Sequence, residues 1–90
     1  MVSDDMNVPE GWRRHERPAH LFRRFEFGAY GDTRAFLDRL AALSEETGEY
    51  PDIGFGKTHA NITIHARNGT VIGPEDVALA LRITGIERPA

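Results

Sequence analysis

Two stretches in which apolar residues take every second position constrain this chain more than any other feature. From Leu21 to Phe27, Leu21, Arg23, Phe25 and Phe27 fall on one side and Phe22, Arg24 and Glu26 on the other. From Ala60 to Ala66, Ala60, Ile62, Ile64 and Ala66 alternate with Asn61, Thr63 and His65. A period of two is that of a strand with one buried face, so both stretches require a sheet and something apolar against it. Trp12 to Glu16 is predicted as the antiparallel neighbour of the first strand, with Arg17-Pro18-Ala19-His20 as the turn. Gly28 to Gly31 ends that strand, and Asp32 or Thr33 caps a helix whose apolar stripe is Phe36, Leu40 and Leu43, flanked by Leu37 and Ala41. The helix stops near Thr47, before Gly48, and a glycine-rich loop follows. Asn68-Gly69 marks a turn after the second alternating strand. Gly73-Pro74-Glu75-Asp76 then opens a second helix, with proline at its first position and acids in its first turn. Val77, Ala80, Leu81 and Thr84 are expected to face the core of that helix, and Gly85 to end it. The order strand, strand, helix, strand, helix predicts an α+β two-layer sandwich, an antiparallel sheet with helices packed on one face.

A chain of 90 residues has room for one domain. At this size only roughly 60–65% of the unfolded surface is buried, so self-association, at least to a homodimer, is expected. Residues 1–10, polar and without periodicity, are read as a mobile tail, and residues 11–90 as the domain. No cysteine is present, which excludes disulfides, thiolate catalysis and cysteine-based zinc sites and fits a cytoplasmic protein. The longest apolar run, Val77 to Leu81, falls far short of the ~18 residues of a membrane span, and the N-terminus is acidic, so a membrane partner is not expected.

The net charge of −3 argues against nucleic acid as a partner. Its distribution is uneven. Arg13, Arg14, Arg17, Arg23 and Arg24 are opposed only by Glu16, whereas Glu45, Glu46, Glu49 and Asp52 cluster later. Two solvated faces or a charged dock for a mostly acidic protein are both consistent with this layout.

Several motifs lack what their chemistry needs. Gly54-Phe55-Gly56-Lys57-Thr58 ends like a phosphate-binding loop, but Pro51 stands where the pattern requires glycine, and a strand rather than a helix follows. His59 and His65 share a strand face, but six residues at ~3.3 Å each place them roughly 20 Å apart. His15 and His20 flank the predicted turn without an evident third ligand, so no metal site is expected. Glu45, Glu49, Tyr50 and Asp52 gather at one helix end, as acid–base groups would or as surface acids would.

From Gly11-Trp12 onward the chain resembles the pterin-4a-carbinolamine dehydratase family. The resemblance is carried by Gly11-Trp12, the strand Leu21 to Phe27, the helix through Phe36, Glu45, Pro51-Asp52, the strand Ala60 to Ala66, and Gly73 to Ala80 with Asp76. Dehydratases of this family carry two adjacent histidines before the proline, then an aromatic residue, then a third histidine after the long strand; here those positions hold Glu49 and Tyr50, then Lys57, then Arg67. Dehydration of a 4a-hydroxypterin needs groups that exchange protons near neutrality, and arginine stays protonated there. The chain is similar to a branch of the family associated with alpha-carboxysomes that acts in RuBisCO assembly. That resemblance implies a non-catalytic, chaperone-like protein of the cytoplasm or carboxysome, without cofactor, that binds RuBisCO subunits or assembly intermediates. It implies contacts through Tyr50, Phe55, Lys57, His59 and Arg67 in the old pocket, with Arg13, Arg14 and Arg17 as a charged ribbon. The alternative is a dehydratase with an altered acid–base site.

Overall fold

The computed structural model describes residues 8–87. Its elements run β1 (Arg13–Glu16), β2 (Ala19–Glu26), α1 (Tyr30–Thr47), β3 (Asp52–Phe55), β4 (His59–His65) and α2 (Pro74–Gly85). All strand pairings are antiparallel, and the sheet order is β1-β2-β4-β3. The two alternating stretches are the central strands β2 and β4, as a half-buried face requires. They pair with Leu21 opposite Ile64, Arg23 opposite Ile62 and Phe25 opposite Ala60. Leu21, Phe25, Ala60, Ile62 and Ile64 thus share one face, where Phe36, Leu40 and Leu43 of α1 and Leu79, Ala80 and Ile83 of α2 close the core. The α+β sandwich is the observed architecture.

Aromatic packing organises this core. Phe25 lies 4.8 Å from Phe36 between ring centroids, Trp12 meets Phe25 edge-on at 6.0 Å, and Arg23 stacks over the Phe25 ring at 4.4 Å. Trp12 Nε1 donates to Thr84 Oγ1 at 2.9 Å, tying the chain before β1 to the last turn of α2. Arg39 on α1 donates to the carbonyls of Ile86 and Glu87, which satisfies acceptors at the end of α2.

The structure departs from expectation in several places. A four-residue strand, β3, occupies part of the predicted glycine-rich loop; all its residues are exposed, and its strand state comes from pairing with β4. The hairpin turn is narrower than predicted, because Ala19 and His20 already pair with Glu16 and His15. Neither Asp32 nor Thr33 caps α1, which begins at Tyr30 after Ala29. Thr33 is instead buried one turn in, and its hydroxyl donates to the Lys57 carbonyl at 2.9 Å, holding the β3–β4 turn against the helix. Ala41 is exposed rather than flanking the core.

On α2 the buried stripe is Asp76, Leu79, Ala80 and Ile83, whereas Leu81 is 55% exposed. An apolar run from Val77 to Leu81 has no polar side to orient it, so the helical position alone does not select the face. Gly48 does end α1, at a left-handed φ of 76° that glycine adopts without strain. Residues 1–7 of the predicted tail lie outside the described residues, as do residues 88–90. Val8 packs against the core cluster, and the Pro9 carbonyl accepts from Trp12 N at 3.1 Å.

Candidate functional site

The turn after α1 and the end of β4 come together against the first turn of α2. Gly48 reverses the backbone, and Glu49 N donates to Thr47 Oγ1 at 3.1 Å, which sets Glu49, Tyr50 and Pro51 beside Arg67. Between them lies an open pocket of about 270 Å³ with Ile64 and Leu79 as its apolar wall and Asp76 at its base. Inside it the Arg67 guanidinium donates to the Glu49 carboxylate, an ion pair between residues 18 positions apart. Tyr50 is 70% exposed at the rim.

Asp76 is buried, and its carboxylate is committed to the backbone. It accepts from Gly73 N at 2.9 Å and from Arg67 N at 3.2 Å. The first contact satisfies an orphan donor at the start of α2, and the second fixes the chain leaving β4. The pocket therefore holds one carboxylate engaged by a guanidinium and one engaged by main-chain donors. The lining also includes His65 of β4, whose Nε2 donates to Asp52 Oδ2 at 2.7 Å, beside Tyr50 at the rim.

The expected contact residues do not form one surface. Tyr50 and Arg67 line the pocket. Phe55 is 56% exposed at the far end of edge strand β3, Lys57 sits in the β3–β4 turn, and the His59 side chain lies on the opposite face of the sheet beside Gly56. The three arginines are also separated. Strand alternation puts Arg13 on the helix-free face with Phe22 and Arg14 on the helix face with Leu21, while Arg17 is in the hairpin turn. Arg14 bonds Glu16 at 3.1 Å and borders a second, apolar groove of about 650 Å³ with Val71, Val77 and Leu81. Ile64 and Leu79 were missed as pocket residues because each reads from sequence only as core. Among the described residues no three His, Asp or Glu side chains are grouped so as to hold a metal ion, and no helix is long and apolar enough to cross a membrane.

Residues 2–86 match the family described as pterin 4 alpha carbinolamine dehydratase. This chain belongs to that family. A putative pterin-4-alpha-carbinolamine dehydratase of Thermomicrobium roseum is 33% identical over 75 residues, covering 81% of this chain and 76% of that protein. In two other curated pterin dehydratase relatives the match spans 62% and 60% of their length, so the chain covers less than two-thirds of them. Among solved structures, a pterin dehydratase-like protein identified as a RuBisCO assembly factor in the alpha-carboxysome is 46% identical, with a TM-score of 0.81 over 90% of this chain and 94% of that one. A transcriptional coactivator/pterin dehydratase from Brucella melitensis shares the fold at 16% identity, with a TM-score of 0.80.

Proposed function

We propose that this chain is a non-catalytic RuBisCO assembly factor of the pterin dehydratase-like type, associated with alpha-carboxysomes. The observation that carries the reading is the 46% identity, over nearly the whole of both chains, to a neighbour with that role. The pocket chemistry supports it. Glu49, Tyr50, Lys57 and Arg67 stand where dehydratases of the family have two histidines, an aromatic residue and a third histidine, and the Glu49–Arg67 pair is satisfied within the chain. A scaffold relieved of proton transfer is free to use its surfaces for contact.

Co-expression of RuBisCO subunits with this chain is expected to raise the yield of soluble holoenzyme and to co-purify the two. Unchanged yield with no co-purification overturns the reading. If Tyr50 and Phe55 are anchors, each alanine substitution weakens association by roughly 1–3 kcal/mol. The purified protein is also expected not to accelerate decay of a 4a-hydroxytetrahydropterin above the uncatalysed rate. An acceleration abolished by Glu49→Gln establishes instead a dehydratase with an altered acid–base site.

The same reading includes a homodimer. Strand β3 is a sheet edge with Ile53 44% and Phe55 56% exposed, and an uncovered edge with apolar side chains is a template for pairing. Sedimentation at micromolar concentration is expected to give a species of twice the 10.1 kDa chain mass, reverting to monomer in Ile53→Asp/Phe55→Asp. A wild-type monomer rules the dimer out.

A further inference from the structure

All four histidines of the chain lie on one face of the sheet, the face without helices. His15 of β1 is opposite His20 of β2, which is opposite His65 of β4, so these three form one row across three strands; His59 follows on the same face of β4, opposite Glu26. The His15 and His20 rings stack at 4.5 Å between centroids, and His20 and His65 are 5.9 Å apart. Two of the rings are oriented by acceptors: His20 Nδ1 donates to the Pro18 carbonyl at 2.7 Å and His65 Nε2 to Asp52 Oδ2 at 2.7 Å.

The fixed charges of this face cancel. Arg24 bonds Glu26 at 3.1 Å, and Asp52, the other carboxylate, is held by His65. Arg13, exposed beside half-buried Phe22, makes no ion pair among those of the described residues. Asn61 and Thr63 complete the face without charge, Arg17 stands in the adjoining turn, and Arg14 and Glu16 point to the helix side. With neutral histidines the two arginines and two carboxylates sum to zero; every proton taken up by an imidazole adds a positive charge that no further carboxylate on the face offsets. Imidazole is the side chain that makes this change between mildly acidic and mildly basic pH.

We infer that the helix-free face of the sheet docks a carboxylate-rich protein segment, and that the four histidines make this association tighten as pH falls. Charge complementarity selects the occupant: Arg13 and the protonated row oppose carboxylates, and Phe22 offers a flat apolar contact between them to the hydrocarbon part of a protein segment. The inference rests on the assembly-factor reading only for the identity of the natural partner.

The test measures binding of the full chain to poly-L-glutamate by fluorescence anisotropy at low salt, with EDTA present, at about pH 8 and about pH 6. Roughly tenfold tighter binding is expected at the lower pH. In His15→Gln/His20→Gln/His65→Gln the gain is expected to fall below about twofold. His20→Lys/His65→Lys is expected to bind tightly at both pH values, which a structural role of the rings does not produce. Thermal melts of each variant verify folding. Equal affinity at both pH values, or an undiminished gain in the folded triple glutamine variant, overturns the inference. Single-stranded DNA bound as tightly as poly-L-glutamate overturns the choice of a protein segment. RuBisCO is tested in parallel. Association that is the same at both pH values and in the triple variant refutes this face while leaving the assembly-factor reading intact; no RuBisCO binding with the expected poly-L-glutamate pattern refutes that reading and supports the face.

Discussion

Phe36→Ala is expected to lower the stability of the protein by about 3–5 kcal/mol. Phe36 is fully buried at the centre of α1, and its ring meets Phe25 at 4.8 Å and Phe27 at 5.3 Å. Truncating a buried phenylalanine costs about 3–5 kcal/mol, the sum of lost transfer free energy and a cavity that the neighbours only partly fill. For 90 residues the whole stability is roughly 5–13 kcal/mol, so this single cavity removes a large share of it. A small domain has few other contacts to collapse into the space, because one layer of sheet and one layer of helix supply the entire core. Urea unfolding monitored by circular dichroism reads the change as a drop in midpoint at near-constant slope. Phe36→Leu keeps an apolar side chain and part of the volume, and is expected to cost much less. A loss below about 1 kcal/mol for the alanine variant contradicts the packing described here.

Asp76→Ala is expected to lower stability by about 2–4 kcal/mol, because two backbone donors, Gly73 N and Arg67 N, lose their acceptor. In a domain of this size that corresponds to roughly 10–25 °C in Tm. The substitution also removes a negative charge from the positive end of α2. Asp76→Asn retains one carbonyl oxygen and is expected to lose about half as much. Scanning calorimetry of the three proteins tests both statements, and equal Tm for wild type and Asp76→Ala refutes the structural role. Asp76 carries part of the family resemblance, and here its carboxylate accepts from Gly73 N and Arg67 N and holds both in place. Loss of fold rather than loss of turnover is therefore the expected signature of its removal.

The Glu49–Arg67 pair acts differently. Arg67 is 61% exposed in its side chain and Glu49 is 27% exposed, so solvent screens the attraction and the pair contributes little to stability. Its consequence is geometric: the pair ties the turn after α1 to the end of β4 across the pocket lined by Tyr50, Pro51, Ile64 and Leu79.

What the amino-acid sequence determined by itself was every element whose signal is local. The period-two stretches became β2 and β4, the stripe of Phe36, Leu40 and Leu43 became the buried side of α1, Gly48 ended that helix, and Pro74 began α2. Backbone torsion preferences and a one-sided apolar pattern act within a few residues, so they are present in the chain before it folds. The resemblance to the dehydratase family, carried by short motifs along most of the chain, was legible in the same way. Only the tertiary structure decided the rest. Strand β3 has no buried residue to mark it and exists because β4 offers a ladder of donors and acceptors. The side of α2 that is buried was set by where the sheet and α1 lie, since Val77 to Leu81 is apolar on every side. Arg13 and Arg14, adjacent in sequence, were sent to opposite faces by the pleat. Glu49 met Arg67, and four histidines spread from position 15 to position 65 were gathered on one face, because antiparallel register brings residues together by their strand partners, whatever their distance along the chain.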